Sequence, residues 1–150
     1  MMLKISKFLL AFSGVVIGLS SVPAASAQNN CKHPDSLKGA YGYTVTGFIL
    51  PGAPLIPGPF VAVGRIVFDG AGGVTTVRSL SDNGVIVQND VGSGTYSLNQ
   101  NCTGSFNISV VTPSGTVILT LDIVLDDNNQ IRGVVTTPNI ALALEGRKQQ

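Results

Sequence analysis

From residue 40 onward, the chain alternates between runs rich in β-branched and aromatic residues and short clusters of turn-forming residues. None of the runs has the apolar repeat of a helix, and each has the length of a β-strand. The predicted strands are residues 40–50, 59–69, 73–82, 85–98, 103–112, 116–126, 130–137 and 140–148. Turn signals separate the runs, such as the glycine-rich segment 69–73 and Asn83-Gly84, which is typical of a two-residue hairpin. The sequence therefore indicates an all-β domain with antiparallel neighbouring strands.

Seven short connections between eight strands give an up-and-down meander, whose first and last strands would be long sheet edges. Exposed edges of this kind promote aggregation, and eight strands close readily into a barrel. We therefore predict an eight-stranded antiparallel up-and-down barrel, closed by pairing of strand 40–50 with strand 140–148. The alternative is a two-sheet β-sandwich, in which these two strands are not paired with each other.

The first 27 residues have the parts of a Sec-type signal peptide. Lys4 and Lys7 form a basic start, an apolar run covers residues 8–19, and the segment ends in Ala25-Ser26-Ala27. The apolar run is too short to span a bilayer as a mature helix. We predict cleavage after Ala27 and a secreted or periplasmic protein, which the intact mass of the exported chain would test. The predicted organisation is a signal peptide (1–27), an N-terminal plug segment (28–39) and a β-barrel domain (40–150).

Cys31 and Cys102 are the only cysteines, and both follow the predicted cleavage site. Two cysteines in an exported protein most simply form one disulfide. In an up-and-down barrel both would lie at the end that also holds the chain termini. The bond would then carry residues 31–39 across that mouth of the barrel. His33, the only histidine, lies in this segment, far from any other candidate general base, so we expect it to be structural or solvent-exposed.

The charge and composition exclude several classes of function. Charged residues make up 11% of the chain and the formal net charge is +1, with no basic run, so we expect no nucleic-acid partner. With one histidine and two cysteines, the chain has neither an ordinary metal-ligand cluster nor an arguable Ser-His-Asp set. We expect no metal and no cofactor, and the sequence identifies no catalytic residue.

The segment 51–59 contains four of the eight prolines and lies at the end of the barrel opposite the cysteines. Proline fixes φ and prevents strand pairing, so we expect an ordered loop with Leu55 and Ile56 at an apolar tip. Two interpretations remain open, a lid over a cavity mouth and a crossover loop packed on the rim. The candidate ligand-binding residues are Tyr43, Leu55, Ile56, Phe60, Ile66, Leu121 and Leu142.

Several strands carry apolar residues on both faces, so part of the outside of the barrel should also be covered. The explanations are a subunit interface, a lipid-facing surface in an outer membrane, and a two-layer packing. The chain has no tryptophan and three tyrosines, too few for the aromatic girdles of a membrane barrel. We therefore expect a soluble homo-oligomer that does not span the membrane.

Charged residues also occur among the apolar strand residues, at Arg65, Arg78, Asp122, Arg132 and Glu145. The simplest interpretation is that they mark the solvent face of each strand. One that pointed inward would need a partner, because an unpaired buried charge is costly. Such a residue could orient a ligand or act as an acid or base. The candidates for this inward position are Arg65, Asp122 and Glu145.

Four segments carry a resemblance to a known group: residues 37–47, the hairpin 64–73, residues 94–98 and residues 101–104. Together they resemble small exported bacterial proteins with calycin-like or allene-oxide-cyclase-like barrels. The resemblance implies a barrel with a central apolar cavity that binds a small lipophilic molecule. It also leaves open a cofactor-independent cyclase or isomerase acting in the same cavity. A third hypothesis is a non-catalytic envelope or surface protein with a filled core.

Overall fold

The computed structural model describes residue 31 and residues 34–112, 115–126 and 128–150. The predicted signal peptide and His33 lie outside the described residues, so these two expectations stay predictions. The strands are β1 (Gly39–Ile49), β2 (Gly58–Phe68), β3 (Gly73–Asp82), β4 (Val85–Leu98), β5 (Thr103–Thr112), β6 (Gly115–Leu125), β7 (Gln130–Val135) and β8 (Ile140–Lys148). All eight predicted strands are present, and their ends differ from the prediction by two residues at most.

The strands form a closed barrel in the order of the chain, with every neighbouring pair antiparallel. The closing ladder joins β1 to β8 and runs from Tyr41 opposite Lys148 to Ile49 opposite Ile140. The predicted up-and-down barrel and its closing pair are therefore confirmed, and the sandwich alternative is excluded. The fold is consistent with the calycin-like barrel that the resemblance implied.

The inner face of the barrel follows from the two-residue period of each strand. In β6 the side chains of Val117, Leu119 and Leu121 are buried inside the barrel. The alternate residues Ile118 and Asp122 are exposed on the outer face. The same alternation in the other strands fills the interior with one continuous apolar core.

One end of the barrel is filled by aromatic rings and by the segment before β1. The ring of Phe68 makes edge-to-face contacts with Tyr41, Tyr96 and Phe106, at centroid distances of 5.7, 5.0 and 6.0 Å. A short 3₁₀ helix, η1 (Pro34–Leu37), precedes β1, and the side chain of Leu37 is completely buried in the core.

The predicted disulfide between Cys31 and Cys102 is confirmed, with an S–S distance of 2.08 Å, and both cysteines are buried. Cys31 lies before η1, whereas Cys102 lies in the turn between β4 and β5. The bond therefore ties the segment before β1 to the wall at the filled end.

The wall is split at the opposite end. The β3–β4 ladder extends to Asp82 opposite Val85, but within the described residues the β4–β5 ladder ends at Gly92 opposite Val110. Residues 85–91 of β4 therefore extend beyond the ladder with β5. The β5–β6 ladder continues to Thr112 opposite Gly115, so the two hairpins separate towards their tips.

In the part of the chain that the structure describes, no helix has the length and apolar character needed to cross a membrane. The described residues also contain no group of three or more His, Cys, Asp or Glu side chains that could hold a metal ion.

Candidate functional site

The split in the wall opens into a space of about 530 Å³, which we call the mouth cleft. One side is formed by Val85 and Val87 of β4, and the other by Val110 and Val117 of β5 and β6. Residues 53–56 of the proline-rich loop contribute a further wall. The cleft is therefore lined mainly by aliphatic side chains, at the end of the barrel that holds the proline-rich loop.

Polar side chains from β3 lie at the base of this apolar cleft. The short hairpin between β2 and β3 places Val74 directly opposite Phe68, whose ring is in the core. Directly opposite residues share a face, and the two-residue period then turns Thr76, Arg78 and Asp82 inward as well. All three are buried, and Arg78 and Asp82 line the cleft.

Arg78 is paired with a carboxylate of the next strand. Its Nε donates a hydrogen bond to Oδ2 of Asp90 at 2.7 Å, and the two side chains are only 9% and 10% exposed. An irregularity in the β3–β4 ladder, between Arg78 and Leu80, precedes this contact, and Asn89 beside it has a φ of 55°. The β-bulge displaces the register and brings Asp90 opposite Arg78, so the buried cation is compensated within the wall.

Asp82 lies on the same face of β3, closer to the loop, and is 8% exposed. Its Oδ2 accepts a long hydrogen bond of 3.4 Å from the backbone N–H of Ile56. Its Oδ1 is buried and has no hydrogen-bond partner among the described residues. Burial raises the pKa of Asp82, and the N–H of Ile56 partly opposes that rise.

Tyr43 lines the centre of the barrel, and its hydroxyl bonds to Thr76, two residues before Arg78 on β3. Thr76 Oγ1 donates a hydrogen bond to the carbonyl oxygen of Arg65 at 3.1 Å, which leaves it free to accept one from the Tyr43 hydroxyl at 2.8 Å. Burial raises the pKa of the Tyr43 phenol, and the hydrogen bond with Thr76 and the charge of Arg78 oppose the rise. The phenol is therefore neutral at physiological pH and held in one orientation.

Five of the seven predicted ligand-binding residues surround a small cavity at the centre of the barrel. They are Tyr43, Phe60, Ile66, Leu121 and Leu142. The cavity has a volume of about 30 Å³, roughly the space that one or two water molecules occupy. These residues do point inward together, but their side chains fill most of the interior they enclose.

The other two predicted residues, Leu55 and Ile56, lie in the loop and line the mouth cleft. Leu55 is half-buried and packs against the core, whereas Ile56 is 41% exposed. Leu55 therefore fits the interpretation of a loop packed on the rim, whereas its neighbour Ile56 fits that of a lid. The loop is tied down by the bond from the N–H of Leu50 to the carbonyl oxygen of Asn139, at 2.8 Å.

The suggestion of an inward charge at Arg65, Asp122 or Glu145 is wrong, because all three side chains are exposed on the outer face. Each alternates with buried neighbours such as Ile66 or Leu121, and the two-residue period sends it outward. Arg65 donates a hydrogen bond from Nε to Oε1 of Gln149 at 3.0 Å there. Among the strand charges, the inward-facing cation is Arg78.

Thr76, Asp82 and Asp90 were not predicted as site residues from the sequence. A signal for the first two was present, because the short hairpin 69–73 restricts the register and makes Val74 share the face of Phe68. Every second residue after Val74 shares its face of the strand, and these residues include Thr76 and Asp82. Asp90 had no such signal, since its position depends on the β-bulge.

Comparison of the chain with protein-family models, with curated proteins and with solved structures finds no match. The assignment of a function therefore rests on the geometry and chemistry of the mouth cleft.

Proposed function

We propose that the mouth cleft binds a small molecule with a largely apolar body. The observation that carries this proposal is a space of about 530 Å³ with aliphatic walls and buried charged groups at its base. Small-molecule sites typically have volumes of about 300–1,000 Å³, mainly apolar linings and a few polar groups that fix orientation. The cleft has each of these features.

The proposed binding site is not the central cavity that the resemblance implied. A space of about 30 Å³ at the centre is too small for an organic ligand of that kind. The ligand would instead lie between the β3–β4 and β5–β6 hairpins, with Arg78 and Asp82 at the base of the cleft. Export of the protein remains part of this proposal, and the disulfide is compatible with an oxidising compartment.

Two alternatives remain, each with one supporting observation. The nearly filled centre favours an envelope or surface protein without a ligand. The raised pKa of Asp82 favours a cyclase or isomerase, because such an enzyme needs a group that transfers a proton within the cleft. An enzyme would convert a bound molecule, whereas a binding protein would release it unchanged.

Titration with N-phenyl-1-naphthylamine, a neutral apolar fluorophore, tests the proposal. Its emission should rise and saturate with the wild-type protein. Ile56→Ser should weaken binding by about fivefold, because covering part of one aliphatic side chain contributes roughly 1 kcal/mol. Val61→Ser is the matched control, since Val61 is exposed on the outer face of β2 and does not line the cleft.

Thermal unfolding of the same variants separates binding from stability. Ile56→Ser should leave the melting temperature nearly unchanged, whereas Leu55→Ser should lower it because Leu55 packs on the core. Absence of saturable binding by the wild type would overturn the proposal and favour the filled-core alternative. Equal weakening by Ile56→Ser and Val61→Ser would show that the fluorophore binds elsewhere.

The expected homo-oligomer stays a prediction. Valines such as Val61 and Val63 are exposed on the outer face of β2, as the sequence pattern indicated. Light scattering of the purified protein would give its mass in solution and decide between a monomer and an oligomer.

A further inference from the structure

The charged side chains that line the mouth cleft do not balance. They are Arg78, Asp82 and Asp90, and the first is already paired with the last at 2.7 Å. Asp82 is the remaining charge, and it is almost completely buried beside apolar walls. A buried carboxylate is costly unless it is compensated by a cation or by hydrogen bonds.

The hydrogen-bonding capacity of Asp82 is also largely unused. An ionised carboxylate can accept about four hydrogen bonds. One oxygen accepts a single long bond from Ile56, and the buried Oδ1 has no partner in the described part of the chain. A buried polar atom without a partner is rare in proteins and requires an explanation. A ligand that donates hydrogen bonds to this oxygen would provide one.

We propose that the ligand is an amphiphilic amine, whose ammonium head group is bound by the carboxylate of Asp82 and whose apolar body lies along the aliphatic walls of the cleft. This inference rests on the proposed function. An ammonium group compensates the charge and supplies three donors. Val85, Val87, Val110 and Val117 would contact the apolar body.

The same charges disfavour a fatty acid, the opposite kind of amphiphile. Its carboxylate would enter a cleft with an excess negative charge, and the guanidinium of Arg78 is already engaged by Asp90. An alcohol is intermediate, because its hydroxyl can donate one hydrogen bond to Asp82 but brings no charge. The head group, rather than the apolar body, should therefore determine the affinity.

Displacement of N-phenyl-1-naphthylamine by octylamine, 1-octanol and octanoate at pH 7.5 compares three head groups on one alkyl chain. We expect octylamine to bind about tenfold more tightly than octanol, because an ammonium group compensates the charge of the buried carboxylate and a hydroxyl does not. Octanoate should bind most weakly. Asp82→Asn should remove the tenfold advantage of octylamine and leave octanol binding nearly unchanged. Asp122→Asn, on the exposed outer face of β6, should keep the advantage.

The pH dependence gives a second measurement on the wild-type protein. The charged groups beside Asp82 are Arg78 on its own strand and Asp90 on β4, whereas the lining residues from β2, the 53–56 loop, β5 and β6 are uncharged. Octylamine binding should weaken as the pH falls and Asp82 is protonated, and octanol binding should change little. A further variant, Asp82→Leu, tests the same preference for octylamine, because it removes the carboxylate without leaving a polar group buried.

The outcomes separate the two proposals. If octanol binds as tightly as octylamine, or if octanoate binds best, the assignment of Asp82 is overturned while the cleft remains a binding site. The assignment is also overturned if Asp82→Asn and Asp82→Leu, both shown to be folded by circular dichroism, keep the preference for octylamine. If neither the fluorophore nor any of the three compounds binds, both proposals are overturned.

Discussion

Replacing Arg78 by methionine should destabilise the barrel strongly, because it leaves the carboxylate of Asp90 buried without its cation. The pair is joined at 2.7 Å, and both side chains are about nine-tenths buried. Breaking a buried ion pair by removing one partner costs about 3–5 kcal/mol. For a domain of this size, each kcal/mol lowers the melting temperature by roughly 4 °C, so we expect a decrease of roughly 12–20 °C.

The measurement is urea and thermal unfolding followed by far-ultraviolet circular dichroism, with the disulfide kept oxidised. Arg132→Met is the matched control, since Arg132 is paired with Asp126 at 3.1 Å but its side chain is 68% exposed. Exposed pairs contribute about 0–1 kcal/mol, so this variant should unfold nearly as the wild type does.

A double variant tests the cause of the loss. The double variant Arg78→Met, Asp90→Leu removes both charges and should recover much of the stability lost in Arg78→Met, because two apolar side chains replace the pair. If Arg78→Met and Arg132→Met lower stability equally, the pair does not contribute as its burial indicates. Failure of the double variant to recover would show that the loss comes from packing instead of charge.

Three further predictions concern the closing ladder between β1 and β8, the mouth cleft and the disulfide. Gly47→Ala should lower the urea midpoint far more than Gly84→Ala, since both glycines have positive φ but only at Gly47 would a Cβ overlap the backbone of β8; equal losses would contradict the close approach. Burial raises the folded-state pKa of Asp82 above its usual 3.8, so stability should fall as the pH rises from 3.8 through that raised value and then level off. Asp82→Asn should remove this fall and unfold at a higher temperature than the wild type at pH 7, and an unchanged pH profile would refute the burial argument. Replacing Cys31 and Cys102 by serine should cost about 4 kcal/mol of stability in urea, because the bond closes a 71-residue separation; a loss under 1 kcal/mol would show that the unfolded state gains little from opening the loop.

The strands and their order could be predicted because turn chemistry and the two-residue period act locally. Asn83-Gly84 and the glycine-rich segment 69–73 mark hairpins irrespective of the rest of the fold. Barrel closure followed from the need to remove two long edges. Phe60, Ile66 and Leu121, which the sequence predicted as ligand-binding residues, are buried inside the barrel, and each belongs to an alternating apolar set.

The site was less predictable because it depends on departures from regularity. In β3 both alternating sets contain apolar and polar residues, so the strand alone does not show whether Thr76 or Val77 faces inward. The β-bulge that brings Asp90 to Arg78 follows from no local rule. The volumes of the central cavity and the mouth cleft depend on where the β4–β5 ladder ends, which the turns do not determine.

The closed ladder between β1 and β8 makes the order of the strands circular. The backbone N–H of Gln149 bonds to the carbonyl oxygen of Ala40 at 2.8 Å, so the two ends of the barrel domain lie side by side. A circular permutant that joins Gln150 to Cys31 by a linker and opens the chain in the exposed turn 99–101 would leave each strand with both of its present neighbours. The position of the disulfide along the chain would change most, because Cys102 would then lie close to the new amino terminus. The pairing of the strands is therefore independent of where the chain begins, whereas the segment that the disulfide closes is not.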